Sequence, residues 1–449
     1  MSSHNWSALL IFLLINISVS FGQATSSDTT SLSLKEALQY GIENSVVMRE
    51  GRNTVLYAEQ RAKNAVSRGW PQVDANIGYN DNLALPTFLI PIANGETQEA
   101  QFGTQHNAVV GASISQLVFD GAYFLGVKAA KKLVNLESER TRLSQIDLKH
   151  NITQSYYTCL IAELRVNAFV RAQVSVSKIA VEARAYYESG FAEELDADRL
   201  DLSVSDLTTA INNANRDLET AQNMLKYYMG MEFSSNFKLT DQIDMLLLQE
   251  SLVAEQFEPG NRQEFRIVQL QKETNELNVK YMRSSFLPKL YLYGSYEQQA
   301  QRDQFDFFDF DQNWFEVATV GLNLEIPIFD GFSRRSNVEM AKIQLDNLSL
   351  TEENLKLQLG LQAAQSKTGY LNAIDRLSSL RKSRDLSEKI FNVTQIKYRE
   401  GVGSSLELTT AQQEYEQAED EYIAAMYDLL IARSDLRKAL GKYQTEDPR

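Results

Sequence analysis

Several short stretches of the chain alternate strictly between apolar and polar residues. In 315–329, Ala318, Val320, Leu322, Leu324 and Ile326 point one way, while Thr319, Gly321, Asn323 and Glu325 point the other. A period of two marks a strand, because successive side chains leave a sheet on opposite faces. Val73, Ala75, Ile77 and Tyr79 alternate in the same way with Asp74, Asn76, Gly78 and Asn80. Val110, Ala112, Ile114 and Val118 mark a third strand, which Gln116 interrupts, and the tyrosine-rich run 290–296 marks a fourth. Aromatic residues gather at or near the strand ends: Trp70, Tyr79, Phe119, Tyr291, Tyr293, Tyr296, Trp314, Phe315 and Phe329. The runs have roughly the 9–11 residues with which a tilted strand crosses a bilayer, and aromatic girdles sit at the two interfaces of such barrels. The edge of a soluble β-sandwich is the alternative reading of these runs alone.

The rest of the chain has helical periodicity. Leu200, Val204, Leu207, Ile211, Ala214, Leu218, Ala221 and Leu225 step by 4, 3, 4, 3, 4, 3, 4, a sustained heptad seam. The same seam returns 211 residues later as Ala411, Tyr415, Ala418, Tyr422, Ala425, Leu429, Ala432 and Leu436. Ala210, Ala424 and Ile431 lie off the stripe yet are small or apolar, which suits a helix with neighbours on both sides, as in a wall or tube; an ordinary coiled coil is the plainer alternative. Between 122 and 189 there is no proline and one glycine, Gly126, so a helix of about 100 Å is predicted at 1.5 Å per residue.

These segments are arranged as an internal repeat. Phe119-Asp120-Gly121 recurs as Phe329-Asp330-Gly331, Tyr187-Glu188-Ser189-Gly190 as Tyr398-Arg399-Glu400-Gly401, and 225–230 as 436–441. Trp70-Pro71-Gln72 lines up more loosely with Leu287-Pro288-Lys289. Each half runs helix, strand, loop, strand, long helix, glycine break and returning helix. The expected organisation is a signal peptide over 1–22, a first repeat over 23–230, a linker over 231–261, a second repeat over 262–441 and a tail over 442–449. The signal peptide rests on the apolar stretch 8–17 followed by the small residues Ser18, Ser20 and Gly22, although no Lys or Arg precedes it. A short buried apolar segment is the alternative. No later stretch is apolar for the roughly 18 residues of a membrane-spanning helix.

Four strands do not close a membrane barrel, and an open edge in lipid strands backbone groups at several kcal/mol each. The sheet is therefore expected to close by association, with eight strands from two chains or twelve from three.

Composition narrows the function. Acidic residues outnumber basic ones 59 to 44, a net charge of −15, which argues against a nucleic-acid partner. The single cysteine, Cys159, allows no internal disulfide and sits where a buried structural thiol is expected. The histidines beyond the signal, His106 and His150, are isolated; no phosphate-binding loop and no nucleophile elbow is present. The loop 299–313 interleaves Asp303, Asp306, Asp309 and Asp311 with phenylalanines, but not at EF-hand spacing, and a solvated loop is expected. No catalytic, cofactor-binding or metal-binding constellation emerges, so the expectation is a passive protein and not an enzyme.

The segment Tyr398-Arg399-Glu400-Gly401-Val402-Gly403-Ser404-Ser405-Leu406-Glu407 resembles the helical-hairpin tip of the TolC-like outer membrane efflux protein family. Residues 187–196 form a looser copy, with Glu193-Glu194 where the second copy has serines. Asn261-Arg262-Gln263-Glu264-Phe265-Arg266 is similar to the family's Arg-Pro-Asp-Leu segment, with Gln263 replacing the proline. The resemblance spans nearly the whole mature chain. It implies a mostly α fold with a β part: a trimeric outer membrane β-barrel of twelve strands, continued by a long coiled-coil barrel across the periplasm. It further implies a channel subunit of a tripartite efflux pump or type I secretion system, conducting small molecules or protein. The implied partners are two further copies, a periplasmic adaptor, an inner membrane pump and outer membrane lipid. Gly190, Gly401, Gly403 and Ser404 would meet the adaptor. Glu407 would constrict the pore, with Thr410 where a second acid sometimes stands, and Asp196 and Tyr398 would link neighbouring helices and hold the tip closed. A structural periplasmic coiled-coil protein without channel activity is the alternative; it leaves the alternating strands unexplained.

Overall fold

A computed structural model describes residues 30–92, 95–247, 252, 254–309 and 311–443. The signal segment expected over 1–22 and residues 444–449 of the expected tail lie outside these. The chain opens with β1 (Thr30–Leu32), α1 (Leu34–Asn44) and α2 (Val46–Ser67). Ser33 caps α1 in a capping box with Glu36, and Ser45 caps α2 by accepting from the Met48 amide, so the turn between the two helices is fixed by side-chain oxygens. Then follow β2 (Gln72–Asp81), β3 (Thr87–Pro91), β4 (Thr97–Gln101) and β5 (His106–Phe119). The first long helical hairpin is α3 (Gly121–Glu188) with α4 (Glu194–Met229). Beyond the linker elements β6 (Phe237–Leu239) and α5 (Ile243–Leu247), the second half repeats the order as α6 (Gln263–Ser284), β7 (Lys289–Arg302), β8 (Phe315–Glu325), α7 (Ser333–Arg399) and α8 (Ser405–Ala439).

The four strands foreseen from alternation form one antiparallel sheet in the order β2-β5-β7-β8. Its register separates the side chains by polarity. Directly opposed residues share a face, so the pairs Val73–Ile114, Ala75–Ala112, Ile77–Val110, Tyr296–Ala318 and Leu292–Leu322 continue one apolar band across all four strands. The opposite face carries Asp74 against Ser113, Ser113 against Ser295, and Ser295 against Thr319. Among the described residues nothing covers the apolar face: Ile77, Val320 and Leu322 are 80%, 83% and 67% exposed. The outer edges of β2 and β8 have no strand partner among the described residues.

Three boundaries differ from expectation. The insert between β2 and β5, read as an irregular loop, contains the β3–β4 hairpin, with Phe88 packed edge-on to Phe102. β8 stops at Glu325, short of Ile326 and Ile328, which continue its alternation, because Pro327 removes a ladder donor and the partner strand β7 begins at Lys289, opposite Glu325. The linker is partly ordered: β6 pairs in parallel with β1, more than 200 residues earlier.

The core lies where the hairpins meet the linker. Ala37, Met48, Ile152, Tyr156, Leu225, Met229 and Leu430 are buried together, drawing on α1 to α4 and α8. Cys159 belongs to this cluster, and burial, with Glu163 next, pushes its thiol up to about 12. It is a packing group with no thiolate to offer. Arg262, 3% exposed, donates to the Ala439 carbonyl at 3.0 Å and to Gln362 at 3.1 Å, and pairs with Glu264. It thus ties the end of the linker to α7 and α8.

Both returning helices end in a left-handed glycine, Gly230 at φ 73° and Gly441 at φ 69°. A Cβ on Gly230 would stand 2.7 Å from the Asn44 carbonyl oxygen, and one on Gly441 would stand 2.4 Å from that of Asn261. In each repeat the returning helix thus ends against the backbone leading into that repeat's strand-side helix. Gly230→Ala or Gly441→Ala is expected to cost about 2 kcal/mol or more, since a left-handed alanine costs roughly 1–2 kcal/mol before the backbone clash is counted. A lowered thermal midpoint of the helical circular dichroism signal checks this. An unchanged midpoint in both variants would show that these close contacts do not hold each repeat together.

Candidate functional site

The two helical hairpins turn at matching places, and each turn is built by a glycine. At the first tip α3 ends at Glu188 and Gly190 takes φ 77°. The Gly190 amide donates to the Tyr187 carbonyl and the Phe191 amide to that of Tyr186, both at 2.9 Å. At the second, α7 ends at Arg399 and Gly401 takes φ 72°, with its amide on Tyr398 at 3.1 Å and that of Val402 on Lys397 at 3.0 Å. Such closures satisfy the last helical carbonyls and require a left-handed residue. Nothing lies within 4 Å of a Cβ placed on Gly190 or Gly401, so both turns are bare surface knobs. Gly403 is closer set: its Cβ would lie 3.2 Å from the Lys397 Cβ. Ser404 caps α8 by accepting from the Glu407 amide at 3.2 Å.

Beneath the tips a small apolar plug of Ile179, Ala180, Ala183, Leu200, Phe391 and Leu408 joins both hairpins, with Tyr398 packed against it. Burial first, then the nearby Asp196 carboxylate, push the Tyr398 phenol upward, so it stays a neutral hydrogen-bonding group. Asp196 crosses between hairpins: Ser405, 1% exposed, donates its hydroxyl to the Asp196 carboxylate, and Arg199 donates to the Ser405 oxygen at 3.3 Å. One rung further along the same pair of helices, Gln412 of α8 donates to the Ser203 hydroxyl oxygen of α4 at 2.8 Å. On the outer side Arg399 pairs with Glu182 at 3.0 Å, and Arg184 clamps α4 through Asp198 at 2.9 Å and through Asp201.

Of the residues singled out in the sequence, Gly190, Gly401, Gly403 and Ser404 all belong to the two turns. Asp196 and Tyr398 come together over the plug. Glu407 and Thr410 remain exposed on the first turns of α8. Ser405, Arg199, Ser203, Gln412 and the Arg399–Glu182 pair escaped sequence reasoning. They face each other only because two hairpins pack side by side, and no local spacing encodes that.

Elsewhere the described residues contain no group of three or more His, Cys, Asp or Glu placed to hold a metal ion. Ser434, His150 and Asp435 meet, with Ser434 3.1 Å from His150 Nδ1 and Asp435 3.3 Å from Nε2. Ser434 and His150 are buried, and the Tyr443 hydroxyl sits 2.9 Å from the serine oxygen, so no substrate reaches this nucleophile. No described helix is long and apolar enough to cross a membrane.

Comparison with known proteins points one way. The family model of outer membrane efflux proteins matches residues 259–442. The outer membrane efflux protein BepC of Brucella suis biovar 1 is 23% identical over 436 residues, covering 96% of this chain and 89% of that protein. The solvent efflux pump outer membrane protein SrpC of Pseudomonas putida is 22% identical over 418 residues, covering 91% and 85%. Among solved structures, CusC superposes with a TM-score of 0.73 at 15% identity, covering 94% of this chain and 95% of that one. The chain thus has the fold of the TolC-like channels and is similar along almost its whole length to outer membrane efflux proteins, with the family model of those proteins matching its second repeat.

Proposed function

We propose that three copies of this chain form a passive conduit through the outer membrane and periplasm, serving a tripartite efflux pump or a type I secretion system. The observation that carries this is the four-stranded sheet with one bare apolar face and two unpaired edges. In lipid the apolar face needs no cover, but each open edge leaves backbone groups unsatisfied at several kcal/mol apiece. Joining β8 of one copy to β2 of the next removes every edge. Two copies would give a barrel of about eight strands, whose interior is filled by its own side chains. Three give twelve and leave a lumen, lined by the polar face around Asp74, Ser113, Ser295 and Thr319. The mature chain then comprises repeats 23–230 and 262–441 around the linker 231–261, with an export signal before and a short tail after. A purely structural coiled-coil protein has no use for a bare apolar sheet.

The tips form the gate. Asp196, Ser405 and Tyr398 latch the two hairpins of one copy, and Glu407, with Thr410 one turn on, constricts the pore and favours cations. The exposed turns at Gly190, Gly401, Gly403 and Ser404 receive the periplasmic adaptor, which opens the tips by binding the open form better. The cargo passes without chemistry, and its driving force comes from the inner membrane partner.

Two experiments test this. A hydrogen bond to a carboxylate contributes about 1.5–3 kcal/mol, so Ser405→Ala or Asp196→Ala should raise the open population, and with it single-channel leak conductance in planar bilayers, about tenfold or more. Glu407→Ala should reduce cation preference in the same recordings. Unchanged conductance and selectivity in all three variants would remove the gate assignment. For docking, Gly190→Asn with Gly401→Asn keeps the left-handed turns, which asparagine tolerates. The pair is expected to preserve assembly and conductance while abolishing efflux-dependent resistance in cells. Full resistance would place the adaptor elsewhere.

A further inference from the structure

Further from the tips than the apolar plug, α3, α7 and α8 line a cavity of about 280 Å³. Its walls are largely apolar: Ala168, Ala172 and Val176 from α3, Ile423 from α8, and a stacked aromatic pair, Phe391 and Tyr415, with centroids 5.8 Å apart and planes 8° from parallel. Four carboxylates also line it. Three of them have cationic partners: Asp420 with Arg165 at 2.6 Å, Glu419 with Arg384 at 3.5 Å and Arg171 at 3.8 Å, and Glu388 with Arg384 at 3.4 Å. Glu416 is the exception, with no cationic partner among the described residues. Burial, and after it the repulsion of another carboxylate, Asp206 of α4, push its own carboxyl upward against the hydrogen bond from Gln412.

Beside it stands Gln412, 2% exposed. Its amide nitrogen donates to the Glu416 carboxylate and to Ser203, both at 2.8 Å. This fixes the orientation of the side chain, since a flipped amide would set its oxygen against the carboxylate. The amide oxygen, Oε1, is buried and has no partner. A buried acceptor without a donor costs free energy, and so does a half-buried carboxylate without a cation. Both deficits meet in one cavity, and both are answered by the same missing group, a cation bearing N–H donors.

We propose that this cavity binds a small arylalkyl ammonium ion, its ammonium shared by the Glu416 carboxylate and Gln412 Oε1 and its ring against Phe391 and Tyr415. The volume lies at the lower end of the ~300–1,000 Å³ of small-molecule pockets, which limits the guest to one ring and a short chain. Aromatic faces attract cations and stack on aryl groups. A bare divalent ion fits poorly, since it needs about six or more oxygen ligands and the wall offers mostly carbon. The site lies within one copy of the chain and contains none of the proposed gate residues, although Phe391 is shared with the plug on which Tyr398 packs.

The test is calorimetric titration of the full-length, detergent-solubilised protein with phenethylammonium chloride, and in parallel with 2-phenylethanol, which keeps the ring and chain but lacks the charge. The parent protein should bind the amine saturably and about tenfold or more tighter than the alcohol. Glu416→Gln retains an acceptor for the Gln412 amide and removes the unpaired charge, so it should stay assembled and melt no lower. It should lose the preference for the amine. Phe391→Leu should weaken both compounds severalfold, and Glu414→Gln, exposed on the same helix, should change neither. Absence of saturable amine binding to the parent, equal affinity for amine and alcohol, or an undiminished preference in Glu416→Gln would each overturn the proposal.

Discussion

The structure depends on a hydrogen-bonding constraint that one chain does not meet. The sheet β2-β5-β7-β8 is amphipathic, and its apolar side is bare instead of packed on a core. Water would penalise the apolar side and lipid would penalise the edges. Association of copies in a bilayer relieves both at once, so the environment and the oligomer are one requirement and not two. The helices inherit their arrangement from it. Each long helix starts at a Phe-Asp-Gly, the first at the end of β5 and the second a short way beyond β8, and Asp120 and Asp330 hold the first turns of α3 and α7 by accepting from the backbone amides of Ala122 and Arg334.

Much of this was legible in the residues. The heptad seams of α4 and α8 are buried or half-buried at every position singled out, because a seam that repeats every 3.5 residues presents one stripe to a neighbour however the rest of the chain is folded. The strands were legible for the same reason: alternation is local. The turns at Gly190 and Gly401 were legible because only glycine takes that conformation cheaply.

What escaped was non-local. The three-residue strands β1 and β6 are too short to show a period and exist only because the other is there. In the β3–β4 hairpin, β3 is preceded by Pro86 and ends on Pro91, residues that argue for a loop, and the hairpin forms a two-stranded sheet separate from the main one. The links Asp196–Ser405 and Ser203–Gln412 join residues 209 apart, and no pattern within either helix announces them. Glu416 likewise looks like any acid on a solvated helix until packing encloses it and leaves it without a cation.

Duplication explains how one tip motif yields different parts. Asp196 and Glu407 occupy the same place in the two repeats, an acid in the first turn of the returning helix directly after a leucine. Their surroundings separate them. Opposite Asp196 the second repeat offers the buried hydroxyl of Ser405, whose counterpart in the first repeat is Glu194, a group that repels a carboxylate and donates nothing. Glu407 therefore has no reciprocal partner and stays exposed, while Asp196 is half-buried and bonded. A two-fold relation between repeats would give both acids the same surroundings. The single exchange of Glu194 for Ser405 breaks that relation: one copy of the motif is bonded across the hairpins, and the other keeps its acid in the open.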